Sequence, residues 1–416
     1  MNKKVWFVVL LLSQGLNAES LTLHRAISQT LAHHPDVKRF MLNIESAKQG
    51  YNSAYADYLP QLNATATYTA TQTYVLPNNG GFSTIDDDGW NAAISLRQKV
   101  WDFSKTATLV EASHKDEEIA NLSLQEVKAL LAYKVKSLYQ LLLVQRKAVE
   151  VRQKDLASKE LFYHQAQALV KQGLKTHADT QRFLSSVYAA KDALALAKSG
   201  FEKAKVSLSL YMGKPISSTV KLQSHILTKK STLTPAQVKQ ILAKNYKMKM
   251  DAKSVEKGKL LHQANRNAHF GSIDVVATHS RFDTLNSYNT DYVGVSYSIP
   301  LYSGGRLSAQ EQQAKIGYQM AQEQSASDKM ALKEELEGLR IDLRHYATTI
   351  LAKKAQIRSA KSALKIVKAR YKEGLATYVE VLDATSVWLN AELGLLESYY
   401  SRSLAGDRID YLKGKI

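Results

Sequence analysis

An internal duplication constrains the fold of this chain more than any other feature. Residues 171–176 read KQGLKT and return as KEGLAT at 372–377, a separation of 201 residues. The pair GK occurs at 213–214 and again at 414–415, with the same separation. A fixed spacing of this kind identifies a repeated structural unit. The chain therefore holds two copies of one unit.

These landmarks assign the two copies to 19–214 and 235–416, joined by a linker at 215–234. Further upstream the separation between matching segments grows from 201 to 211 residues. The first copy therefore carries about ten residues that the second lacks. We predict that they form an exposed loop within 76–89.

Long stretches without proline predict long helices. The chain has six prolines, none of them between Lys105 and Lys214 and none after Leu301. A proline inside a helix costs about 3 kcal/mol, so both stretches suit uninterrupted helices. Apolar residues recur in them with a heptad-like spacing, in two stripes that let one helix contact neighbours on both sides. The predicted helices span 105–172, 175–213, 306–373 and 375–413, with turns at Gly173 and Gly374.

Two stretches ahead of each pair of long helices have a different period. Apolar residues alternate there with polar ones, as in the run LNATATYTAT that begins at Leu62. The predicted strands are 61–75, 90–101, 272–283 and 291–301. Alternation over about ten residues with aromatic flanks is typical of membrane β-strands, although a soluble sheet of two hairpins fits the pattern equally well.

Counting strands constrains the assembly if these strands span a membrane. Four strands cannot close a membrane barrel, for which eight is the practical minimum. An open sheet edge in lipid would leave backbone groups unpaired. Several chains must then share one barrel: two chains give eight strands and three give twelve. Because an eight-stranded barrel has a filled interior, an open conduit favours three chains.

The N-terminus predicts export. Residues 1–18 combine Lys3 and Lys4 with an apolar stretch and a small residue at Ala18, as in a secretory signal peptide. The chain has no cysteine, which excludes disulfides and cysteine metal sites. Its net charge is +18, but lysines and arginines are spread along the chain among acidic residues. We therefore expect contact with an anionic envelope surface and no nucleic-acid partner.

The duplicated hairpin-and-helix units, the corner LYSGGR at 301–306 and the stretch YKEGLATYVEVLDAT at 371–385 together resemble the TolC family of outer-membrane export ducts. The resemblance covers nearly the whole mature chain. It implies a mainly α fold with membrane β-strands, in which three identical chains build a 12-stranded β-barrel in outer-membrane lipid. An α-helical tunnel would continue the barrel through the periplasm, with the linker in an equatorial region. The sequence stops soon after Gly414, so we do not expect the longer C-terminal tail known in the family.

The same resemblance assigns roles to individual residues. Glu380 and Asp383 fall where acids ring the narrow periplasmic aperture of the family. Tyr371 and Asp179 match two residues that hold this aperture closed, and we expect a hydrogen bond between them. The basic residue of that latch falls at Ala376, which cannot form an ion pair. Lys175 is another residue that could supply the basic group of the latch.

Partners also follow from the resemblance. It implies a periplasmic adaptor protein that contacts the helix turns at Gly173 and Gly374, and an inner-membrane transporter of the RND, ABC or MFS type. Gly304 and Gly305 form the corner between strand and helix. The sequence shows no catalytic, metal-binding or cofactor motif, so we expect no enzyme activity, metal or cofactor. A periplasmic coiled-coil adaptor or scaffold without a channel is the alternative, although two hairpins and amphipathic strands fit it less well.

Overall fold

The computed structural model describes residues 20–217, 221–222 and 233–415. The predicted signal peptide and most of the linker lie outside these residues. Within the described part of the chain, no helix is both long and apolar enough to cross a membrane.

The first repeat begins with the short strand β1 (Ser20–Leu21) and two helices and continues through a hairpin into two long helices. Its other elements are α1 (Leu23–His33), α2 (Pro35–Ala56), β2 (Gln61–Asn78), β3 (Gly81–Trp101), α3 (Lys105–Lys171) and α4 (His177–Met212). The linker contributes β4 (Lys221–Leu222), which pairs in parallel with β1.

The second repeat has the same order of elements. They are α5 (Pro235–Lys244), α6 (Tyr246–Asn267), a 3-10 turn (Ala268–Phe270), β5 (Ser272–Asp283), β6 (Ser287–Ser298), α7 (Arg306–Lys372) and α8 (Tyr378–Leu412). By its contacts the chain divides into two compact units. One contains the four-stranded sheet, and the other contains both helix turns and the three short elements β1, α1 and β4.

The two hairpins form one antiparallel sheet in the order β2-β3-β5-β6. Its register separates the side chains into two faces of different chemistry. One face is mainly apolar and carries Leu62, Ala64, Ala66, Tyr68, Trp90, Ala92, Ile94, Leu96, Ile273, Val275, Ala277, Val293, Val295 and Tyr297. The other is mainly polar and carries Asn63, Thr65, Thr67, Ser95, Arg97, Asp274, Thr278, Ser296 and Ser298.

The polar face is organised around an ion pair. The Arg97 guanidinium lies 2.7 Å from a carboxylate oxygen of the buried Asp274, which also accepts a hydrogen bond from the Ser272 hydroxyl at 2.9 Å. This contact joins the hairpins of the two repeats, because β3 pairs with β5. The apolar face also carries polar residues: the half nearer to the Tyr68–Trp90 pair has His279, Arg281, Asp283, Asn289 and Asp291, and the other half has Gln98, which pairs with Val275.

The predicted loop at 76–89 is wrong. Residues 72–78 of β2 and 81–87 of β3 pair with each other up to a tight turn at Asn79 and Gly80, both of which have positive φ. The pairing of β3 with β5 stops at Trp90. The extra residues of the first copy therefore lengthen its hairpin into a two-stranded ribbon beyond the four-stranded sheet. The alternation there is weak, which is why the sequence alone suggested a loop.

In the unit that contains the helix turns, the long helices pack around the first described residues. Val135, Tyr139 and Leu142 of α3 and Leu208 of α4 form a buried cluster with Leu21. The Tyr139 hydroxyl donates a 2.8 Å hydrogen bond to the Leu21 carbonyl, so the cluster is closed by a satisfied polar contact.

Both strand-to-helix corners use left-handed backbone, but with different residues. Gly304 and Gly305 have φ of 62° and 79°, and the matching residues of the first repeat, Phe103 and Ser104, have 56° and 67°. A residue with a side chain is strained in this region by roughly 1–2 kcal/mol, whereas glycine is not. The first corner is held by Asp102, whose carboxylate accepts a 2.9 Å hydrogen bond from the Thr106 amide.

Because of this asymmetry, substitutions at equivalent positions of the two corners should change stability in different directions. We expect Gly305→Ala to destabilise the protein by about 1 kcal/mol, because alanine is strained at positive φ. Ser104→Gly should leave stability unchanged or raise it by up to about 1 kcal/mol, since relief of strain offsets the greater freedom of glycine in the unfolded chain. The midpoint of thermal unfolding in detergent checks both. Equal destabilisation by the two substitutions would contradict the argument.

Candidate functional site

The helix turns of the two repeats have the same construction. Gly173 and Gly374 end α3 and α7 with φ of 73° and 77°, and nothing lies within 4 Å of where a Cβ would be. The amide of the next residue, Leu174 or Leu375, donates back to a carbonyl five residues earlier, at 3.0 and 2.8 Å. These are glycine-terminated helix ends, in which left-handed backbone satisfies the last carbonyls.

The helices after the turns start with equivalent capping boxes. Thr176 is the cap of α4, and its amide and hydroxyl donate to the Asp179 carboxylate at 3.1 and 3.0 Å. Thr377 is the cap of α8, and both of its groups donate to the Glu380 carboxylate at 3.1 Å. Removing such a cap costs about 1 kcal/mol. Asp179 and Glu380 thus both have a local structural role as capping residues.

Aromatic and aliphatic side chains from both repeats pack together beside these turns. We call the set the turn cluster. It consists of Phe162, Ala166, Leu169, Phe183, Tyr371, Ala376 and Val381. The Tyr371 ring is fully buried and lies edge-on to the rings of Phe162 and Phe183, with centroids 6.2 and 5.5 Å away. Edge-to-face packing at these distances is favourable, so the cluster fixes one turn against the other.

Lys175 forms the polar contact between the two turns. Its ammonium group donates to the Ala376 carbonyl at 3.0 Å and to the Gly374 carbonyl at 3.4 Å, and lies 5.7 Å from the centre of the Tyr371 ring. Lys175 and Ala376 are equivalent positions of the duplication. The cation that Ala376 cannot supply is therefore present at the matching residue of the first repeat, and it binds backbone carbonyls.

The expected hydrogen bond between Tyr371 and Asp179 is absent. The Tyr371 hydroxyl is buried and has no hydrogen-bond partner among the described residues. The Asp179 carboxylate accepts from Thr176 within its own capping box. Burial and, to a smaller extent, the negative charge of Asp179 together raise the pKa of Tyr371 to about 12. The phenol is therefore neutral at physiological pH, and its ring packs in the turn cluster.

Arg182 is a contact residue that the sequence did not assign. It occupies the position of the first repeat that matches Asp383. Its guanidinium donates to the Tyr378 hydroxyl of the second repeat, and its central carbon lies 4.5 Å from the centre of that ring. The sequence does show that the two repeats differ in charge at this position, with Arg182 opposite Asp383, but it does not reveal that Arg182 contacts Tyr378.

The two predicted aperture acids have different surroundings. Hydrogen bonds from the Thr377 amide and hydroxyl, together with the positive charge of Arg370, hold the pKa of Glu380 below its usual range. The Arg370 guanidinium lies 3.6 Å from the Glu380 carboxylate. Asp383 follows one turn later on α8 and is exposed. Glu380 is thus partly neutralised, whereas Asp383 presents its charge to solvent.

Within the described residues, no three His, Asp or Glu side chains are grouped so that they could hold a metal ion. What the turns offer is a packed contact between two helical hairpins, with acids at its exposed rim. Such an arrangement suits a mechanical and electrostatic role.

A sheet with one mainly apolar and one mainly polar face, joined to two long helical hairpins, is the architecture of an outer-membrane export duct. The model of the family described as "Outer membrane efflux protein" matches residues 26–214 and 238–414. The chain therefore belongs to the outer membrane efflux protein family, which confirms the predicted resemblance, function class and outer-membrane location.

Individual relatives agree with this assignment. The outer membrane protein TolC of Escherichia coli strain K12 is 23% identical over 404 residues, which cover 92% of this chain and 80% of TolC. The proteases secretion protein PrtF of Dickeya chrysanthemi is 26% identical over 178 residues, 41% of this chain and 38% of PrtF. The crystal structure of CusC has a TM-score of 0.81 at 18% identity and covers 97% of this chain and 96% of CusC.

The unpartnered Tyr371 hydroxyl makes a testable prediction. Tyr371→Phe should keep or slightly raise thermal stability at pH 7, because the lost hydroxyl makes no hydrogen bond. In the unfolded chain a tyrosine ionises near pH 10, but in the fold Tyr371 does so near pH 12. It therefore favours folding at low pH, and this contribution, roughly 2 kcal/mol, is lost as pH rises from 10 to 12.

The wild-type protein should thus lose more stability than Tyr371→Phe over this interval. Tyr188, which is 61% exposed, provides the control: Tyr188→Phe should follow the wild type. The measurement is the unfolding midpoint in detergent at pH 7, 10 and 12. A loss of more than about 1 kcal/mol for Tyr371→Phe at pH 7 would show that its hydroxyl does have a partner.

Proposed function

We propose that the protein works as a homotrimer, a passive exit duct whose twelve strands close one barrel in the outer membrane and whose helices form a periplasmic tunnel. The observation that carries this proposal is the two-faced, four-stranded sheet with its free edges at β2 and β6. Four strands are too few to close a barrel, and an unpaired edge is not tolerated in lipid. Three copies remove every edge and leave room for a channel.

The height of this sheet face between its aromatic ends fits this role. Along β5 the face runs from Ile273, which pairs with Trp101 and Tyr297, to Asp283, which pairs with Trp90 beside Tyr68. Ten residues span about 33 Å, or about 25 Å along the membrane normal for a strand tilted by roughly 40°, which is the height of the lipid-facing band between aromatic girdles in membrane barrels. The face is apolar over this height on β2 and, apart from Gln98, on β3, whereas on β5 it is apolar from Ile273 to Ala277 and polar beyond. The polar face would then line the lumen.

The helix turns are the proposed docking surface for a periplasmic adaptor. Directly after Gly173 and Gly374 the chain exposes Leu174 and Leu375, which are 60% and 69% accessible. Two apolar side chains on matching tips suit a shallow protein contact. Photo-crosslinking from these two leucines in cells, with the exposed Leu351 as control, would refute the assignment if no adaptor were captured. An inner-membrane transporter of the RND, ABC or MFS type would supply energy and choose the substrate.

The turn contacts are the proposed closure of the periplasmic aperture. Lys175, Tyr371 and Arg182 join the two hairpins of one chain, and the capping boxes of Asp179 and Glu380 fix the helix starts beside them. Outward movement of the second hairpin would break the two Lys175 hydrogen bonds and open the cluster. Because these are few contacts, the aperture can open without unfolding the tunnel.

Removal of the Lys175 ammonium should loosen this closure. Lys175→Met keeps the length of the side chain but loses both carbonyl contacts, so we expect a larger single-channel conductance in planar bilayers. Lys175→Arg should stay close to wild type, because it retains a donor and the charge. Lys171→Met, at an exposed residue on the preceding turn, is the matched control. An unchanged conductance for Lys175→Met would exclude Lys175 from the closure.

The acids of the aperture should bind cations. Three chains would bring three copies each of Glu380 and Asp383 together, and crowded carboxylates attract multivalent cations. We expect Asp383→Ala to weaken the block of single-channel current by divalent and trivalent cations. Asp192→Ala, at an exposed acid further along α4, should not change it. An unaltered block in Asp383→Ala would remove Asp383 from the aperture.

A further inference from the structure

Three arginines converge on one groove in the unit that contains the helix turns. Arg340 and Arg344 lie one helical turn apart on α7, and Arg402 comes from α8. Together with Thr234 and Pro235, at the start of α5, they line a cavity of about 360 Å³. We call it the arginine groove. It is separate from the turn cluster, with which it shares no residue.

The groove carries positive charge that the described residues balance only in part. Arg340 lies 2.5 Å from a carboxylate oxygen of Glu337. Within the described part of the chain, no acidic side chain lies within ion-pair distance of Arg344 or Arg402. Both residues line the same cavity, and each guanidinium is a planar fork of donors that matches a carboxylate or a phosphate.

Buried hydrogen-bond donors point to the same conclusion. The Nε atoms of Arg340 and Arg402 are both shielded from solvent and have no acceptor among the described residues. Buried donors are nearly always paired, so two such groups on one groove need an explanation. A bound oxyanion would satisfy donors that the protein leaves unpaired.

The start of α5 adds a favourable field. Thr234 and Gln237 form a reciprocal cap, in which the Thr234 amide donates to the Gln237 side chain at 3.0 Å and the Gln237 amide to the Thr234 hydroxyl at 3.3 Å. α5, which has ten residues, therefore begins with a capped end at the rim of the groove. The N-terminal end of a helix carries partial positive charge and favours anions.

The remaining wall is apolar. Leu233 and Leu343 are buried, and Ala347 and Pro235 complete the lining. A free inorganic ion would leave this wall without a partner, whereas a carboxylate at the end of a short peptide would place carbon atoms against it. The groove thus combines a charged fork with an apolar support.

We infer that the arginine groove binds an oxyanion, and that its ligand is a carboxylate-ended peptide such as the peptide stems of the cell wall. The assignment to the cell wall rests on the proposed periplasmic position of the helices. The oxyanion chemistry rests on the groove alone. Such binding would anchor the duct in the layer that it crosses.

The test is isothermal titration calorimetry on the purified full-length trimer in detergent. The probes are a soluble muropeptide with a free tetrapeptide stem and, separately, inorganic phosphate. For the wild type we expect saturable muropeptide binding with a Kd of about 1 mM or tighter. Arg344→Gln combined with Arg402→Gln should weaken it at least tenfold. Lysine at both positions should give an intermediate loss, because the charge stays and the fork is lost.

Arg358→Gln is the matched control, since Arg358 lies exposed on the same helix about four turns beyond Arg344. It should bind as the wild type does. Binding of phosphate alone, with the same dependence on the arginines, would support the oxyanion site but overturn the cell-wall ligand. No saturable binding of either probe, or equal binding by the double glutamine variant, would overturn the site. A trimer that conducts ions but binds neither probe would overturn the arginine site and leave the proposed duct function standing. A trimer that binds the muropeptide but does not conduct would overturn the proposed duct function alone.

Discussion

The structure depends on backbone hydrogen bonds that one chain cannot complete. The four-stranded sheet leaves β2 and β6 with one unpaired edge each, while its apolar face is suited to lipid. Water could satisfy those edges, but hydrocarbon cannot. A single chain can therefore not keep this sheet in a membrane, which is why we propose that it associates with identical copies. The polar face, with Arg97 and Asp274 paired upon it, would then be the inside of a passage.

Duplication explains the symmetry of the chain, and its exceptions explain how the two halves interact. Both turns end in glycine, and both following helices start with a capping box. Lys175 and Ala376 occupy equivalent positions, yet only the lysine can donate, and it donates to the carbonyl of Ala376. Arg182, which occupies the position equivalent to Asp383, also donates to the second repeat, but to the Tyr378 hydroxyl. Identical halves would meet symmetrically, whereas these differences let one hairpin hold the other and leave an acid exposed.

Much of the architecture was readable from the sequence because its signals are regular. Proline-free heptads predicted the long helices, and alternation predicted the strands. The ribbon beyond the sheet was not predicted, since residues such as Asp86, Asp87 and Asp88 suggest a loop and only pairing with β2 makes them a strand. Contacts between distant residues were also out of reach. The expected bond between Tyr371 and Asp179 is absent because the Asp179 carboxylate accepts from Thr176 in its own capping box, while the Tyr371 ring packs against Phe162 and Phe183 of the first repeat. The arginine groove depends on three helices that only the fold brings together.

The central claim is that one polypeptide has too few strands to seal a pore and must share a barrel with two others. Native mass spectrometry of the detergent-solubilised protein, followed by bilayer recording from each separated species, tests it most directly. The account predicts that the conducting species has the mass of three chains and that monomer obtained by heating does not conduct. Stable pores from the monomer would contradict it.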